Sequence, residues 1–171
     1  MSQYMRRAAF CFLAAMGLMS SMESHAAPST VMRYPVPDFP IASAVEVPAG
    51  YATVYLSGMG APVRDSHAPA HSIAAYGDME DQTTASLQRI SDQLGKLGLG
   101  MGDVVQMHLY MVPDPATKKL DFEGMMRGYR RFFGTAGQPQ LPVRSAFAVA
   151  QLANPGWLIE IEVVAARPPA K

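Results

Sequence analysis

Apolar and polar positions follow two different periods along the chain. Leu87, Ile90, Leu94 and Leu97 recur at three- and four-residue spacing, with Gln88, Arg89, Asp92, Gln93 and Lys96 between them. That spacing places the apolar set on one face of a helix. Asp78 or Asp81 supplies its start, and Gly98 and Gly100 its stop. A second helix is predicted over Lys119 to Phe133, where Phe122, Met125, Met126, Tyr129, Phe132 and Phe133 make one broad apolar face. Five other runs read as strands: Ala42–Val47, Ala52–Ser57, Asp103–Val112, Val143–Gln151 and Trp157–Ala166. The Asp103–Val112 run is apolar at most positions, which predicts cover on both of its faces. Pro48-Ala49-Gly50 separates the first two strands, and Asn154-Pro155-Gly156 joins the last two as a turn.

The predicted order is β-β-α-β-α-β-β, an α/β (α+β) domain with one mixed sheet. Two helices cannot cover both faces of a sheet, so they pack on one face and leave the other partly apolar. The bare face predicts a symmetric oligomer whose subunits cover it mutually. Residues 60–78 hold Pro62, Pro69, Gly77 and two histidines, and read as a loop. Proline-rich residues 27–40 read as an extended lead-in, so the folded domain is expected over residues 41–168.

The first 26 residues read as an address. Arg6 and Arg7 precede an apolar stretch from Ala8 to Met19, and a polar segment ends in Ser24-His25-Ala26. This is the layout of a secretory signal peptide, with cleavage expected after Ala26 and a periplasmic or secreted product. The apolar run falls short of the ~20 residues a spanning helix needs, so no membrane association is expected after cleavage. An uncleaved anchor is the alternative. Cys11, the only cysteine, leaves with the signal, which excludes a disulfide, a thiolate nucleophile or a Cys-ligated metal in the mature protein.

Charge narrows the partners. The 171 residues carry 14 basic and 14 acidic side chains. A formal charge of zero argues against nucleic acid, whose binders need cationic surface to offset phosphate. It argues equally against a polybasic membrane-surface protein.

Several segments carry a resemblance in their joint order and spacing. They are Leu56-Ser57-Gly58, Asp81-Gln82-Thr83, Val104 to Val112 followed by Asp114, the Phe122…Tyr129…Phe132-Phe133 helix, Pro142-Val143-Arg144-Ser145, and Ile159-Glu160-Ile161-Glu162. Over about residues 41–166 the chain resembles the RidA (YjgF-type) family of reactive imine and enamine deaminases. The resemblance implies a chorismate-mutase-like fold, a homotrimer with active sites in clefts between subunits, and hydrolysis of 2-imino acids to a 2-keto acid and ammonia without a cofactor or metal.

A 2-imino acid presents a planar carboxylate, which the planar fork of arginine matches. Arg144 stands on a run otherwise apolar from Ala146 to Ala150, where a charge is costly without a partner or ligand. An arginine reaching solvent or paired with a glutamate is the plain alternative. By resemblance Arg144 binds the substrate carboxylate, and Glu160 positions the attacking water and shuttles its proton. Glu162 shares the Glu160 face and needs no role beyond a solvated polar face. The family's backbone contacts map to Ser57, Gly58 and Ala146. Two positions depart from the family pattern: Ala44 stands where a tyrosine is usual, and Met126 where an asparagine is. Both changes make the cleft more apolar, consistent with a larger or less polar imine. The alternative is a trimer that binds small carboxylates without turning them over.

Other signals carry less. His67 and His71 have a metal-pair spacing, but Pro69 lies between them and no further ligand set completes a site. His108, within a strand, reads as a hydrogen-bonded core or interface residue. Gly95 to Gly102 follows a helix and precedes a strand, the reverse of a phosphate-binding loop. Ser57 lacks the preceding glycine of a nucleophile elbow.

Overall fold

A computed structural model describes residues 29–170. The signal-peptide reading of residues 1–26 lies outside the described residues. The first element is a strand that the sequence reading did not count, β1 (Met32–Val36), which turns at Pro37-Asp38 into β2 (Phe39–Glu46). The segment expected only as a lead-in is thus part of the sheet. The reason is visible in Arg33, whose guanidinium donates to the carbonyls of Val104 at 2.9 Å, Leu141 at 2.7 Å and Gly102 at 2.8 Å. Pro35 within β1 is tolerated because β1 is an edge strand.

The remaining elements are β3 (Ala52–Gly60), a single-turn α1 (Ile73–Tyr76) inside the expected loop, α2 (Met79–Lys96), β4 (Val104–Met111), α3 (Phe122–Tyr129), β5 (Val143–Ala148) and β6 (Ile159–Arg167). Asp78 caps α2 by accepting the Asp81 amide at 2.9 Å, and Leu87, Ile90 and Leu94 are fully buried along its inner face. Helix α3 is shorter than the expected 119–133. Asp121 caps it by accepting the Gly124 amide, so the helix cannot begin earlier, and the chain breaks into tighter turns before Gly134 at φ +72°.

The six strands form one mixed sheet in the order β1-β2-β5-β4-β6-β3. β5 runs parallel to both β2 and β4, while β6 runs antiparallel to β4 and β3. Neither turn signal makes a hairpin. β4 separates β5 from β6, and β2 and β3 lie in opposite halves of the sheet. Alternation then assigns the faces. Met107, Leu109, Met111, Ile159, Ile161 and Val163 point towards the helices and are buried with Met125, Met126, Tyr129 and Phe133. Gln106, His108, Tyr110, Glu160 and Glu162 point to the other side and are only half-buried. That helix-free face is more polar than expected, with Tyr34, Tyr55 and Phe147 among its exposed aromatics. The helices are locked together where Gly128 of α3 lies against Thr83, and where Glu80 pairs with Arg127 and Arg131. Among the described residues no helix is long and apolar enough to cross a membrane.

Candidate active site

Arg144 is the second residue of β5 and faces the helices, as its register partner Met107 does. Its guanidinium lies 4.4 Å from the centroid of the Tyr129 ring, 5.4 Å from that of Phe39 and 5.9 Å from that of Phe122. One terminal nitrogen donates to the Met126 sulfur at 3.2 Å. Among the described residues no carboxylate pairs with it. Burial lowers its pKa from the usual arginine value, the Tyr129 hydroxyl opposing and Arg130 reinforcing the shift. Aromatic rings satisfy the faces of a guanidinium but not its in-plane donors, and those not engaged by the Met126 sulfur suit a planar anion. Tyr129 is fixed for this packing: its hydroxyl donates to the Pro40 carbonyl at 2.9 Å, its ring stacks on Phe133 at 4.9 Å, and burial drives its pKa upward.

The neighbouring backbone adds a donor. The Val149 amide bonds to the Met111 carbonyl, so odd-numbered amides of β5 face β4 and even-numbered ones face away. β2 pairs with β5 only at Ala42 and Val143, leaving the Ala146 amide on an open edge, two residues beyond Arg144.

Glu160 belongs to a second constellation. The β3–β6 register breaks between Leu56 and Met59, so Ser57 and Gly58 form a bulge. Glu160 lies over that bulge: a Cβ at Gly58 would come within 2.9 Å of the Glu160 Cδ. The absence of a side chain at Gly58 is therefore what gives the carboxylate its seat. Next to it, Tyr110 is the cross-strand partner of Glu160. A groove of ≈ 390 Å³ alongside is lined by Tyr55, Ser57, Gln106, His108, Glu162 and Val164.

The structure brings Ser57, Gly58 and Glu160 together, and Arg144 and Ala146 together, but not the two groups with each other. β5, β4 and β6 are side by side, so Arg144 and Glu160 are two strand spacings apart, ~10 Å, and offset by three residues along the strands, another ~10 Å. They also project from opposite faces. One chain presents two separate constellations.

Sequence reasoning missed Phe39 because it lies in the proline-rich segment set aside as a lead-in. It also gave Glu162 no partner. Glu162 accepts from His108 Nδ1 and from the Tyr110 hydroxyl, both at 2.8 Å, and these two bonds, His108 first, hold its carboxyl below the usual carboxylate range. The signal was available in the polar alternation of Gln106, His108 and Tyr110, which matches that of Glu160 and Glu162. His67 and His71 are exposed in the loop, and the described residues hold no cluster of three or more potential metal ligands. Ala44 is exposed on β2 opposite Tyr34, and Met126 is buried against Arg144.

A mixed sheet with its helices on one face, an arginine in a ring-lined seat and a glutamate over a strand bulge define a protein of the YjgF/chorismate-mutase-like fold. Residues 43–167 match the model of the family described as Endoribonuclease L-PSP, and the chain belongs to that family, the RidA or YjgF type. Among solved structures it is similar to Escherichia coli TdcF with bound serine, at 26% identity over 82% of this chain and 99% of that one, with a TM-score of 0.52. The Rid-family protein YyfB from Yersinia pestis shares the fold at 24% identity, over 82% of this chain and 95% of that one, with a TM-score of 0.56. A YjgF/YER057c/UK114 family member from Mycobacterium tuberculosis does so at 23% identity, over 80% and 98% of the respective chains, with a TM-score of 0.50.

Proposed function

We propose that the protein hydrolyses 2-imino acids, or closely related imines and enamines, at a site assembled from the Arg144 half of one copy and the Glu160 half of another. The observation that carries this reading is the half-buried Arg144 guanidinium, which has rings on its faces and no carboxylate partner. A buried charge in that state costs several kcal/mol unless a ligand meets it, about as much as a bound carboxylate would return. The structurally similar TdcF was solved with bound serine, an amino acid with such a carboxylate.

In this mechanism Arg144 holds the substrate carboxylate in plane, and the Ala146 amide donates to it or to the water. Glu160 accepts a proton from water as the water oxygen bonds to the imine carbon. The C=N π pair moves to the nitrogen of the protonated imine, giving a neutral carbinolamine. Glu160 then returns its proton to that nitrogen and the C–N bond breaks. The hydroxyl oxygen forms the carbonyl as its proton passes to the Glu160 carboxylate and from there to the departing ammonia. Ser57 and Gly58 line the approach to Glu160. Every step uses groups of the protein and one water.

Met126, Phe39 and Phe122 make the carboxylate end apolar. They favour an imine with a larger or less polar side chain. The replaced polar groups at Ala44 and Met126 also support a second reading, a trimer that binds small carboxylates without turnover. A ribonuclease activity, which the family description names, draws no support from a net charge of zero or from arginines tied to Glu80.

The test uses the mature chain from Ala27, whose boundary N-terminal sequencing of the exported protein checks. 2-Iminopropanoate and 2-iminobutanoate are generated with an amino-acid oxidase and trapped with semicarbazide, beside an Arg144→Ala control. Accelerated imine loss that vanishes in the control is expected. No acceleration by folded protein sinks hydrolysis of these substrates, and carboxylate binding that depends on Arg144 would then establish the second reading.

A further inference from the structure

Four polar side chains that the mechanism does not use form one chain on the helix-free face. Gln106 Nε2 lies 3.0 Å from His108 Nε2, and His108 Nδ1 lies 2.8 Å from Glu162 Oε1. The Tyr110 hydroxyl donates to that same oxygen at 2.8 Å. Phe147 stacks on Tyr110 at 5.9 Å and meets His108 edge-on at 5.7 Å, fixing both rings from β5. The chain leads to Glu160, because Tyr110 is its cross-strand partner and the Glu160 charge is felt at the Tyr110 hydroxyl. Its other end opens on the groove beside Ser57, which gives the imidazole a route for proton exchange.

We propose that Gln106, His108, Glu162 and Tyr110 are a positioning relay for Glu160, in which the protonation of His108 sets the charge beside the water-activating carboxylate and so the rate of turnover. This rests on the hydrolase reading of Glu160. Glu162 is the pivot. One carboxylate oxygen orients the imidazole and the phenol together, and Tyr110 then walls one side of the Glu160 seat while Gly58 floors it. With His108 neutral, Glu162 presents a net negative charge two residues from Glu160, on the same strand face, and favours proton uptake there. With His108 cationic the pair is neutral and that push is lost. The other groups facing His108 leave the sign intact: β6 contributes Glu160 and Glu162, β4 Tyr110, β3 Tyr55, and β5 only uncharged Ser145 and Phe147.

The experiment measures kcat and KM against pH for the wild type and His108→Gln, with the mass of the assembled protein followed by light scattering. Glutamine can still donate to Glu162 but does not titrate. Wild-type kcat is expected to fall about threefold to tenfold as acidification protonates His108, with KM flat. In His108→Gln the fall disappears at unchanged assembled mass. Tyr110→Phe, which cuts the relay at its Glu160 end, loses kcat without a matching rise in KM. Persistence of the acid limb in His108→Gln overturns the relay. Loss of assembly with the rate per assembled molecule unchanged marks a structural role and overturns it too. An active wild type with a flat profile overturns the relay alone, whereas a wild type that hydrolyses no imine overturns the hydrolase reading and the relay with it.

Discussion

Arg144 carries a fixed charge into a seat made of three rings and a thioether, and this separates its contribution to stability from its contribution to function. If the residue were structural, replacing it with methionine would cost stability. A guanidinium without a carboxylate partner instead costs energy in the free protein. Arg144→Met is therefore expected to keep or raise the melting temperature while abolishing acceleration of imine loss, as thermal denaturation beside the trapping assay would show. Arg144→Lys keeps the charge but loses one arm of the fork, a charged hydrogen bond worth about 1.5–3 kcal/mol, so kcat/KM should fall about tenfold to a hundredfold. Glu162 gives a pH prediction. Hydrogen bonds from His108 and Tyr110 depress its folded pKa. The stability it contributes is present above the unfolded carboxylate range, about 4.3, and is lost as pH falls through the depressed folded value. Glu162→Gln should lose less melting temperature than the wild type on acidification through and below that range.

β3 shows how one strand divides its glycines between chemistry and architecture. Gly58 lies in the bulge beneath Glu160, and Gly60 lies under the ring of Trp157, whose indole N–H donates to the Ala61 carbonyl at 2.9 Å. Gly58→Ala is expected to displace the Glu160 carboxylate and lower kcat with the melting temperature nearly unchanged. Gly60→Ala pushes against a ring held by that hydrogen bond and by edge-on packing on Tyr76, so it should lower the melting temperature first. Matched effects of the two substitutions on both readouts would contradict this division. The helices and the central strands were legible because each follows a single period: Leu87, Ile90 and Leu94 on α2, and Met107, Leu109 and Met111 on β4. β1 was not, because prolines mask an edge strand, and what fixes it is the reach of Arg33 to three carbonyls distant in sequence. Nor could the turns at Pro48–Gly50 and Asn154–Gly156 reveal which strands they separate, since a local turn does not encode sheet order.

At the scale of the whole molecule, Arg144 and Glu160 were each legible from type and spacing, but their placement on opposite faces was not. It depends on the β5-β4-β6 order and on the register of three strands. That placement explains why the proposed chemistry requires more than one copy of the chain. It also supports a symmetric assembly, since a half-polar sheet face with exposed Tyr55 and Phe147 gains from cover. The most direct measurement mixes two inactive variants. Arg144→Ala and Glu160→Gln are each expected to lose about 10²-fold or more in turnover when assembled alone. Unfolded together in equal amounts and refolded, they should regain about a quarter of the wild-type rate, because random assortment across a shared interface reunites one intact Arg144 half with one intact Glu160 half in that fraction of sites. Mixed assemblies that form yet remain as inactive as either variant alone would contradict a site shared between subunits.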